Sequence, residues 1–282
     1  MNNILLSIII PVYNTEKELL IECLNSIKKE LNTKVISQER IEIIIVNDGS
    51  SNTSTLDFLE NLENIKIINQ DNRGQAAAKN TGIKVAVGEY IFPLDSDDIV
   101  SDFISLYIKK ITSSNEYDLL FGDLYVFGDS KYSYQLDDTL KLEYFFDGKF
   151  IPSCSIYKRF LWEKIGGYDE SFITCEEYDF YCRAISNNAN IQYLEKPNYY
   201  WRIINNGKSS AQINSHLFRE YQNRAREKIS VNKLDKKDID DYVIKKFKKN
   251  KKRLIKLLVL TLFPSLHSFL RRIGIISSDK LL

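Results

Sequence analysis

The stretch Tyr90-Ile-Phe-Pro-Leu-Asp95-Ser-Asp97-Asp98 decides how this sequence is interpreted. Its apolar part predicts a buried strand, and that strand ends at three carboxylates within four positions. Asp95 and Asp97 are two residues apart and can point to the same side of an extended chain, so both can reach one cation. Mn²⁺ or Mg²⁺ suits such a site because hard cations bind carboxylate oxygens. The alternative is that Asp97 or Asp98 caps a helix that begins at Ile99-Val100.

Upstream of this stretch, the patterns of strands and helices alternate. Four apolar runs predict strands, at residues 5–10, 41–46, 65–68 and 90–94. The segments between them predict helices, at residues 16–31, 53–62 and 76–87. We expect Pro11 to end the first strand. The alternation predicts an α/β fold, a mostly parallel mixed sheet with helices on both faces.

The polar clusters that follow these strands should meet at one edge of the sheet, where ligands bind in open sheets of this kind. Pro11 and Tyr13 follow the first strand, and the ring of Tyr13 can stack on a base. Asp48 follows the second strand and can accept the N–H of a uracil ring, although it also suits a turn. Arg73 and Lys79 lie near the start of a helix, where phosphate is favoured, although Arg73 also suits a solvated surface. Together the clusters predict a site for a nucleoside diphosphate.

Six motifs in order resemble the signatures of glycosyltransferase family 2. They are SIIIPVYN at 7–14, VNDGS at 46–50, NRGQAAAKNTG at 72–82, LDSDD at 94–98, GGYDE at 166–170 and EEYDFYCR at 176–183. The resemblance covers about residues 5 to 205. It implies a GT-A fold, which is Rossmann-like, together with a nucleotide-sugar donor, a divalent metal and inversion at the anomeric carbon.

The resemblance also implies roles for matching positions. Asp48 would bind the base, Asp95 the ribose or the metal, and Asp97 the metal. The acidic pair after the Gly-Gly-Tyr-Asp turn is Glu-Asp in most relatives and Glu176-Glu177 here, so the general base would be Glu177, with one extra methylene. The alternative is that both glutamates only begin a helix, where they favour the dipole.

Two positions depart from the family pattern. Lys79 stands where relatives often carry Arg, so a bidentate contact becomes a point charge. Many relatives have a histidine after the catalytic helix, which the segment Trp201-Arg202-Ile203-Ile204 lacks. We therefore expect Arg202 or Lys208 to stabilise the leaving group.

Charge divides the 282 residues into an acidic body and a basic tail. Residues 245–282 carry eleven Lys/Arg and one acidic residue, a net charge of +10, whereas residues 1–244 carry 28 basic and 37 acidic residues, a net charge of −9. We predict a GT-A domain at 1–210, with a nucleotide-binding half at about 1–100 and an acceptor half at about 101–210. A helical extension should follow at 211–282, basic and amphipathic from 245.

The tail suits the surface of an anionic membrane, because its apolar stretch is broken by Pro264 and is shorter than the about 20 residues of a spanning helix. The alternative is a helical hairpin that packs on the body or on a second copy of the chain, as in a homodimer. No nucleic-acid-binding motif is present. The absence of a signal peptide predicts a cytoplasmic protein, peripheral on the inner face of the cell membrane, whose four cysteines are free thiols.

These observations predict a metal-dependent inverting glycosyltransferase of bacterial surface-polysaccharide synthesis. It would transfer a sugar from a UDP-sugar to a glycan or a lipid-linked saccharide. The first alternative is a sugar-1-phosphate nucleotidyltransferase, which would normally have a Gly-rich basic loop after the first strand. The second is a non-catalytic relic that binds nucleotide or glycan, against which the intact Asp95, Asp97 and Glu177 argue.

Overall fold

The structure is a computed structural model that describes residues 4–31, 40–136, 153–204 and 215–228. The chain divides into two units, residues 1–233 and 234–282, and the described residues all belong to the first. Lys208 and the basic tail from residue 245 lie outside the described residues. Within the described ranges, no helix has the length and hydropathy of a membrane span.

Seven strands form the central sheet. In spatial order they are β10 (Ile191–Leu194), β6 (Leu119–Gly122), β9 (Ile156–Lys158), β4 (Tyr90–Pro93), β1 (Leu6–Val12), β2 (Ile41–Asp48) and β3 (Lys66–Gln70). Strands β4, β1, β2 and β3 are parallel. Strand β9 lies between β4 and β6, antiparallel to both, and β10 is parallel to β6. The mostly parallel mixed sheet is therefore confirmed.

Helices cover both faces of this sheet. The helices of the described residues are α1 (Lys17–Leu31), α2 (Thr53–Glu60), α3 (Gln75–Val85), α4 (Ile104–Ser113), α5 (Arg159–Ile165), α6 (Glu176–Ser186) and α7 (Ser215–Glu227). Alternate residues of β1 belong to different cores: Ile8 and Ile10 lie in one and Ile9 lies in the other. The first core includes α1 and α4, and the second includes α3, α5 and α6. Burial on both faces explains the continuous apolar runs of these strands.

Pro11 does not end the first strand, which runs to Val12, and that prediction is wrong. Pro11 is in register with Val46 of β2. The carbonyl of Ile9 accepts the N–H of Leu94, so the backbone polar groups of Ile9 point toward β4. Pro11 is two residues further along β1, so its backbone points to the same side. Strand β4 ends at Pro93, which pairs with Ile9, so β4 does not extend as far as Pro11. The N–H that Pro11 lacks would therefore have had no partner in β4.

A second sheet of four strands follows the acidic motif. In spatial order they are β5 (Ile99–Val100), β11 (Tyr199–Ile203), β7 (Leu124–Gly128) and β8 (Tyr132–Tyr134). Ile99 and Val100 pair with Tyr200 and Tyr199, and the next helix begins only at Ile104. The alternative that Asp97 or Asp98 caps a helix beginning at Ile99 is therefore wrong.

Helix α7 packs on the residues around the start of α6. The rings of Phe172 and Tyr221 are 5.2 Å apart, and Lys228 bonds the carboxylates of Asp169 and Asp179. Asp179 is fully buried, so this cation compensates a carboxylate that water cannot reach. Helix α7 falls in the segment predicted as a helical extension, and the boundary at residue 210 stays a prediction.

Candidate active site

The loops after β1, β2 and β4 are bonded to one another at one edge of the sheet. Asn14 adopts a left-handed conformation with φ 52°, which Asn tolerates, and its Oδ1 accepts the N–H groups of Ser51 and Asn52 at 2.7 and 2.9 Å. The hydroxyls of Thr15 and Ser96 are 2.6 Å apart. The structure thus brings together the polar clusters that the sequence assigns to a nucleotide.

Tyr13 and Pro11 occupy different surroundings at this edge. The side chain of Tyr13 is 56% exposed, so its ring is available for stacking. Pro11 is buried within β1. Of the two, Tyr13 is the residue with a free face.

The Asp48 carboxylate at the end of β2 organises the loop after β3. Oδ1 accepts the backbone N–H of Arg73 at 2.8 Å and the side-chain amide of Gln70 at 2.7 Å. Oδ2 accepts the N–H of Gly74 at 2.8 Å, where φ is +89°. The loop that carries Arg73 therefore depends on a buried charge, and the contact of Asp48 with a base stays a prediction.

Arg73 reaches across the edge to the turn that follows α5. Its guanidinium is half exposed and lies 2.5 Å from Oε2 of Glu170. The other oxygen of Glu170 accepts the side-chain amide of Asn80 at 3.1 Å. Asn80 Oδ1 in turn accepts N–H groups of Trp162 and Tyr168, at 3.0 and 2.9 Å. These bonds fix the turn against α3 and so fix the approach to α6.

The loop that carries the three aspartates is held by Gln75 and Arg202. Gln75 donates to Oδ1 of Asp95 at 2.6 Å. Arg202 donates its backbone N–H to Asp98 at 2.8 Å and its Nε–H to the carbonyl of Asp97 at 2.7 Å. Its Nη2 contacts Glu22 at 2.6 Å. The guanidinium predicted to meet the leaving group is thus bonded to the loop and to α1.

Crowding raises the pKa values of two of these aspartates. Burial, and then the charge of Asp95, raise the pKa of Asp97 to about 6. Burial, Asp97 and Asp95 raise the pKa of Asp98 well above its usual range. Oδ2 of Asp98 is buried and has no hydrogen-bond partner among the described residues. A cation beside this loop would relieve the repulsion.

The residues at this loop fit a divalent cation. Asp95, Asp98 and Cys154 each offer one ligand atom within 4.8 Å of the others, and Asp97 is not in that set. Asp98 and Cys154 are almost fully buried, whereas Asp95 and Asp97 are partly exposed. Mg²⁺ and Mn²⁺ keep water and phosphate ligands, so the partly exposed pair suits them better.

Glu176 and Glu177 are the first two residues of α6. Cys175 precedes them in a left-handed conformation. The side chain of Glu177 is 13% exposed, and its Oε1 bonds the ammonium of Lys79. Burial, and then the charge of Glu176, raise the pKa of Glu177 to about 8, although Lys79 opposes the shift. A carboxylate with a raised pKa is the kind of group that accepts protons near neutral pH.

Lys79 lies inside the protein rather than at its surface. Its side chain is 0% exposed, and its Nζ is 3.3 Å from Oε1 of Glu176 and 3.7 Å from Oδ1 of Asp95, beside the bond to Glu177. Burial alone would lower the pKa of Lys79, but Glu177, Asp95 and Glu176 raise it well above its usual range. Its contact with phosphate stays a prediction.

Some of the residues that build this site were missed by sequence reasoning. Gln75 could have been found from its place in the NRGQAAAKNTG motif, at the start of α3. Glu170 could likewise have been found from its place at the end of the GGYDE motif. Cys154 and Glu22 gave no usable signal, because their contacts join segments far apart in the chain.

The family model of glycosyl transferase family 2 matches residues 7–178, which is more than half of the chain. The chain therefore belongs to glycosyltransferase family 2.

Two bacterial relatives illustrate the likeness in sequence. The chain is 38% identical to glycosyltransferase GlyG of Streptococcus pneumoniae over 130 residues, which covers 45% of this chain and 41% of the relative. It is 29% identical to an uncharacterized glycosyltransferase, EpsJ, of Bacillus subtilis over 240 residues, 77% of this chain and 68% of that one. The matched region thus spans less than half the length of GlyG.

A solved structure supports the fold. The chain resembles the crystal structure of S. aureus TarS 1-349 in complex with UDP-GlcNAc with a TM-score of 0.59 and 22% sequence identity. The match covers 73% of this chain and 61% of that chain. The GT-A prediction is therefore confirmed at the level of the fold.

Proposed function

We propose that this chain is a metal-dependent, inverting glycosyltransferase that moves a sugar from a UDP-sugar to a saccharide of a bacterial surface polysaccharide, free or lipid-linked. One observation carries the proposal. The carboxylate assigned to the donor side, Asp95, and the carboxylate assigned to the acceptor side, Glu177, contact the same buried ammonium. Donor and base would therefore be neighbours, as direct displacement requires.

The donor would lie across the sheet edge. Tyr13 would stack on the base beside Pro11, Asp48 would hold the loop that meets the base, and Arg73 would face the diphosphate. Mn²⁺ or Mg²⁺ held by Asp95 and Asp97 would neutralise the diphosphate charge. Arg202 would support this arrangement by fixing the backbone of Asp97. Lys208, the other candidate for the leaving group, stays a prediction.

The chemistry assigned to the protein's own residues is one proton transfer. The acceptor oxygen forms a bond to the anomeric carbon as the bond from that carbon to the diphosphate breaks, on the opposite face. Glu177 takes the proton of the acceptor hydroxyl. A positioned general base contributes about 10²- to 10⁴-fold to a rate.

The names of similar proteins support the class of substrate. One relative, 38% identical over 125 residues and covering 42% of this chain and 19% of its own length, is a poly(ribitol-phosphate) beta-glucosyltransferase of Bacillus spizizenii. TarS, similar in fold, has been crystallised with UDP-GlcNAc and with UDP. We therefore propose a UDP-hexose or UDP-N-acetylhexosamine as donor. A basic tail at an anionic membrane would place the enzyme, in the cytoplasm, beside a lipid-linked acceptor.

A panel of nucleotide sugars tests the proposal. Purified protein is incubated with each donor and Mn²⁺ or Mg²⁺, and release of nucleoside diphosphate is measured. One donor should be consumed, and excess EDTA or Asp97→Asn should abolish consumption, whereas Asp57→Asn at an exposed site of α2 should not. Full activity in EDTA would refute metal dependence.

The base assignment has its own variants. Glu177→Gln keeps the shape of the side chain and removes the proton acceptor, so kcat should fall about 10²- to 10⁴-fold while donor binding persists. Glu60→Gln, at the exposed end of α2, is the matched control. A normal kcat in Glu177→Gln, together with a loss of kcat in Glu176→Gln or Asp179→Asn, would show that the general base is Glu176 or Asp179 rather than Glu177.

A further inference from the structure

The side chain of Lys79 is fully buried, which is rare for a lysine. The residue lies on α3 between Ala78 and Asn80, both buried, and its own side chain has no exposed surface. An ammonium taken out of water is unfavourable unless anions surround it closely. Here three carboxylates do so, from Asp95, Glu176 and Glu177.

The contacts of Lys79 come from two parts of the chain. Asp95 follows β4 and belongs to the loop of the metal candidates, whereas Glu176 and Glu177 begin α6. The ammonium also lies 5.6 Å from the ring centre of Tyr168, in the turn before α6. One side chain on α3 therefore holds the start of α6 against the loop after β4.

Glu177 depends on this contact for its orientation. Among the described residues, Lys79 is its hydrogen-bond partner, and the bond uses Oε1 only. The neighbouring charge of Glu176 repels Glu177, and no other cation lies within 4 Å of either side chain in the described part of the chain. Without the ammonium, no hydrogen bond from the described residues would hold the carboxylate of Glu177.

We propose that Lys79 is a positioning residue that holds Glu177 by one carboxylate oxygen, so that the other can accept the proton of the acceptor hydroxyl. The inference rests on the proposed role of Glu177 as general base. It differs from the sequence-based expectation for Lys79, a contact with the diphosphate. A phosphate approaching this ammonium would first meet the three carboxylates around it.

Removing the charge of Lys79 tests the proposal. Lys79→Met keeps an unbranched side chain of similar length, and Lys84→Met, at an exposed site of the same helix, is the matched control. We expect Lys79→Met to lower kcat at least about tenfold and to change the Kd for UDP, measured with Mn²⁺, by less than about threefold. The pH at which kcat is half-maximal should also rise, because the ammonium no longer favours the ionised form of Glu177. An unchanged kcat, or a Kd at least tenfold weaker with kcat retained, would overturn the proposal, the latter in favour of a phosphate contact.

A double-mutant cycle separates positioning from a general loss of structure. If Lys79 acts through Glu177, then Lys79→Met should cause no further loss of kcat in a Glu177→Gln protein. Additive losses would overturn the proposal. The double variant also removes one carboxylate charge together with the ammonium.

A pair of charge-preserving substitutions tests the proposal even if Lys79→Met does not fold. Lys79→Arg retains the cation on a longer side chain, and Glu177→Asp shortens the acid by one methylene. We expect kcat to fall in Lys79→Arg and to recover, at least threefold, when Glu177→Asp is added. A double variant no faster than Lys79→Arg would overturn the proposal.

The wild-type protein separates this inference from the proposed function. If wild type consumes no nucleotide sugar, the proposed function fails and the inference fails with it. If wild type is active and Glu177→Gln loses kcat, the proposed function stands, and the Lys79 variants decide the inference alone.

Discussion

Replacing Asp48 by Asn tests how far the loop after β3 depends on one carboxylate. Oδ1 accepts the backbone N–H of Arg73 and the amide of Gln70, and Oδ2 accepts the N–H of Gly74. An Asn side chain has one acceptor oxygen, so at least one backbone N–H loses its acceptor and faces an NH₂ group. Asp48 is only 3% exposed, so water does not readily replace the lost bond.

The expected loss follows from these contacts. A hydrogen bond to a charged group contributes about 1.5–3 kcal/mol, and an unpaired buried donor costs about as much. We expect Asp48→Asn to lower the free energy of unfolding by about 2–3 kcal/mol. This is a large share of the about 5–15 kcal/mol that stabilises most domains.

Urea unfolding followed by circular dichroism measures the loss of unfolding free energy. Asp57→Asn, at an exposed position of α2, is the control. Calorimetric titration of the same samples with UDP and Mn²⁺ shows whether donor affinity falls in parallel. A change in unfolding free energy below about 0.5 kcal/mol, the range of neutral surface substitutions, would refute the loop argument. Weaker UDP binding at unchanged stability would then leave Asp48 as a contact to the base alone.

Three further predictions concern the base, the aspartate loop and the tail. Because burial and Glu176 raise the pKa of Glu177, kcat should rise with pH and level off above about 8, and a profile already level at pH 5.5 would contradict the assignment. Arg202→Met removes the bonds to Asp97 and Glu22, so the Mn²⁺ concentration for half-maximal activity should rise about tenfold, whereas a partly exposed control far from the aspartates, Arg159→Met, should not change it. Deletion of 245–282 should abolish co-sedimentation with anionic vesicles at low salt and leave turnover of the nucleotide sugar intact, because each basic residue of a membrane-bound tail would contribute about 1 kcal/mol. An insoluble truncation, with full-length protein that ignores vesicles, would favour the packed hairpin.

The strands and helices of the nucleotide half could be predicted because their signals are local. Strands β1 and β4 and the second half of β2 are buried on both faces and therefore contain continuous apolar runs. Turn residues follow each of them, and aspartates lie at the end of β2 and after β4, so the position of the sheet edge was also predictable.

What could not be predicted depends on partners far away in the chain. Ile99 and Val100 continue an apolar pattern that suits a helix, yet they pair with Tyr199 and Tyr200, 100 residues later. The place of Pro11 within β1 depends on where β4 ends, which no local pattern shows. In the site, the enclosure of Lys79 arises because two glutamates of α6 fold over α3, and motif spacing carries no information on that contact.

The antiparallel strand β9 has a consequence for how the protein is made. Tyr90 of β4 pairs with Lys158 of β9, 68 residues later, so the edge of β4 has no strand to pair with until β9 has been synthesised. At about 5–20 residues per second that interval is roughly 3–14 s. During it the nascent chain carries an apolar strand with unpaired N–H and C=O groups, the arrangement that promotes intermolecular pairing. Recovery of folded protein should therefore depend on events during translation as well as on the stability of the finished sheet.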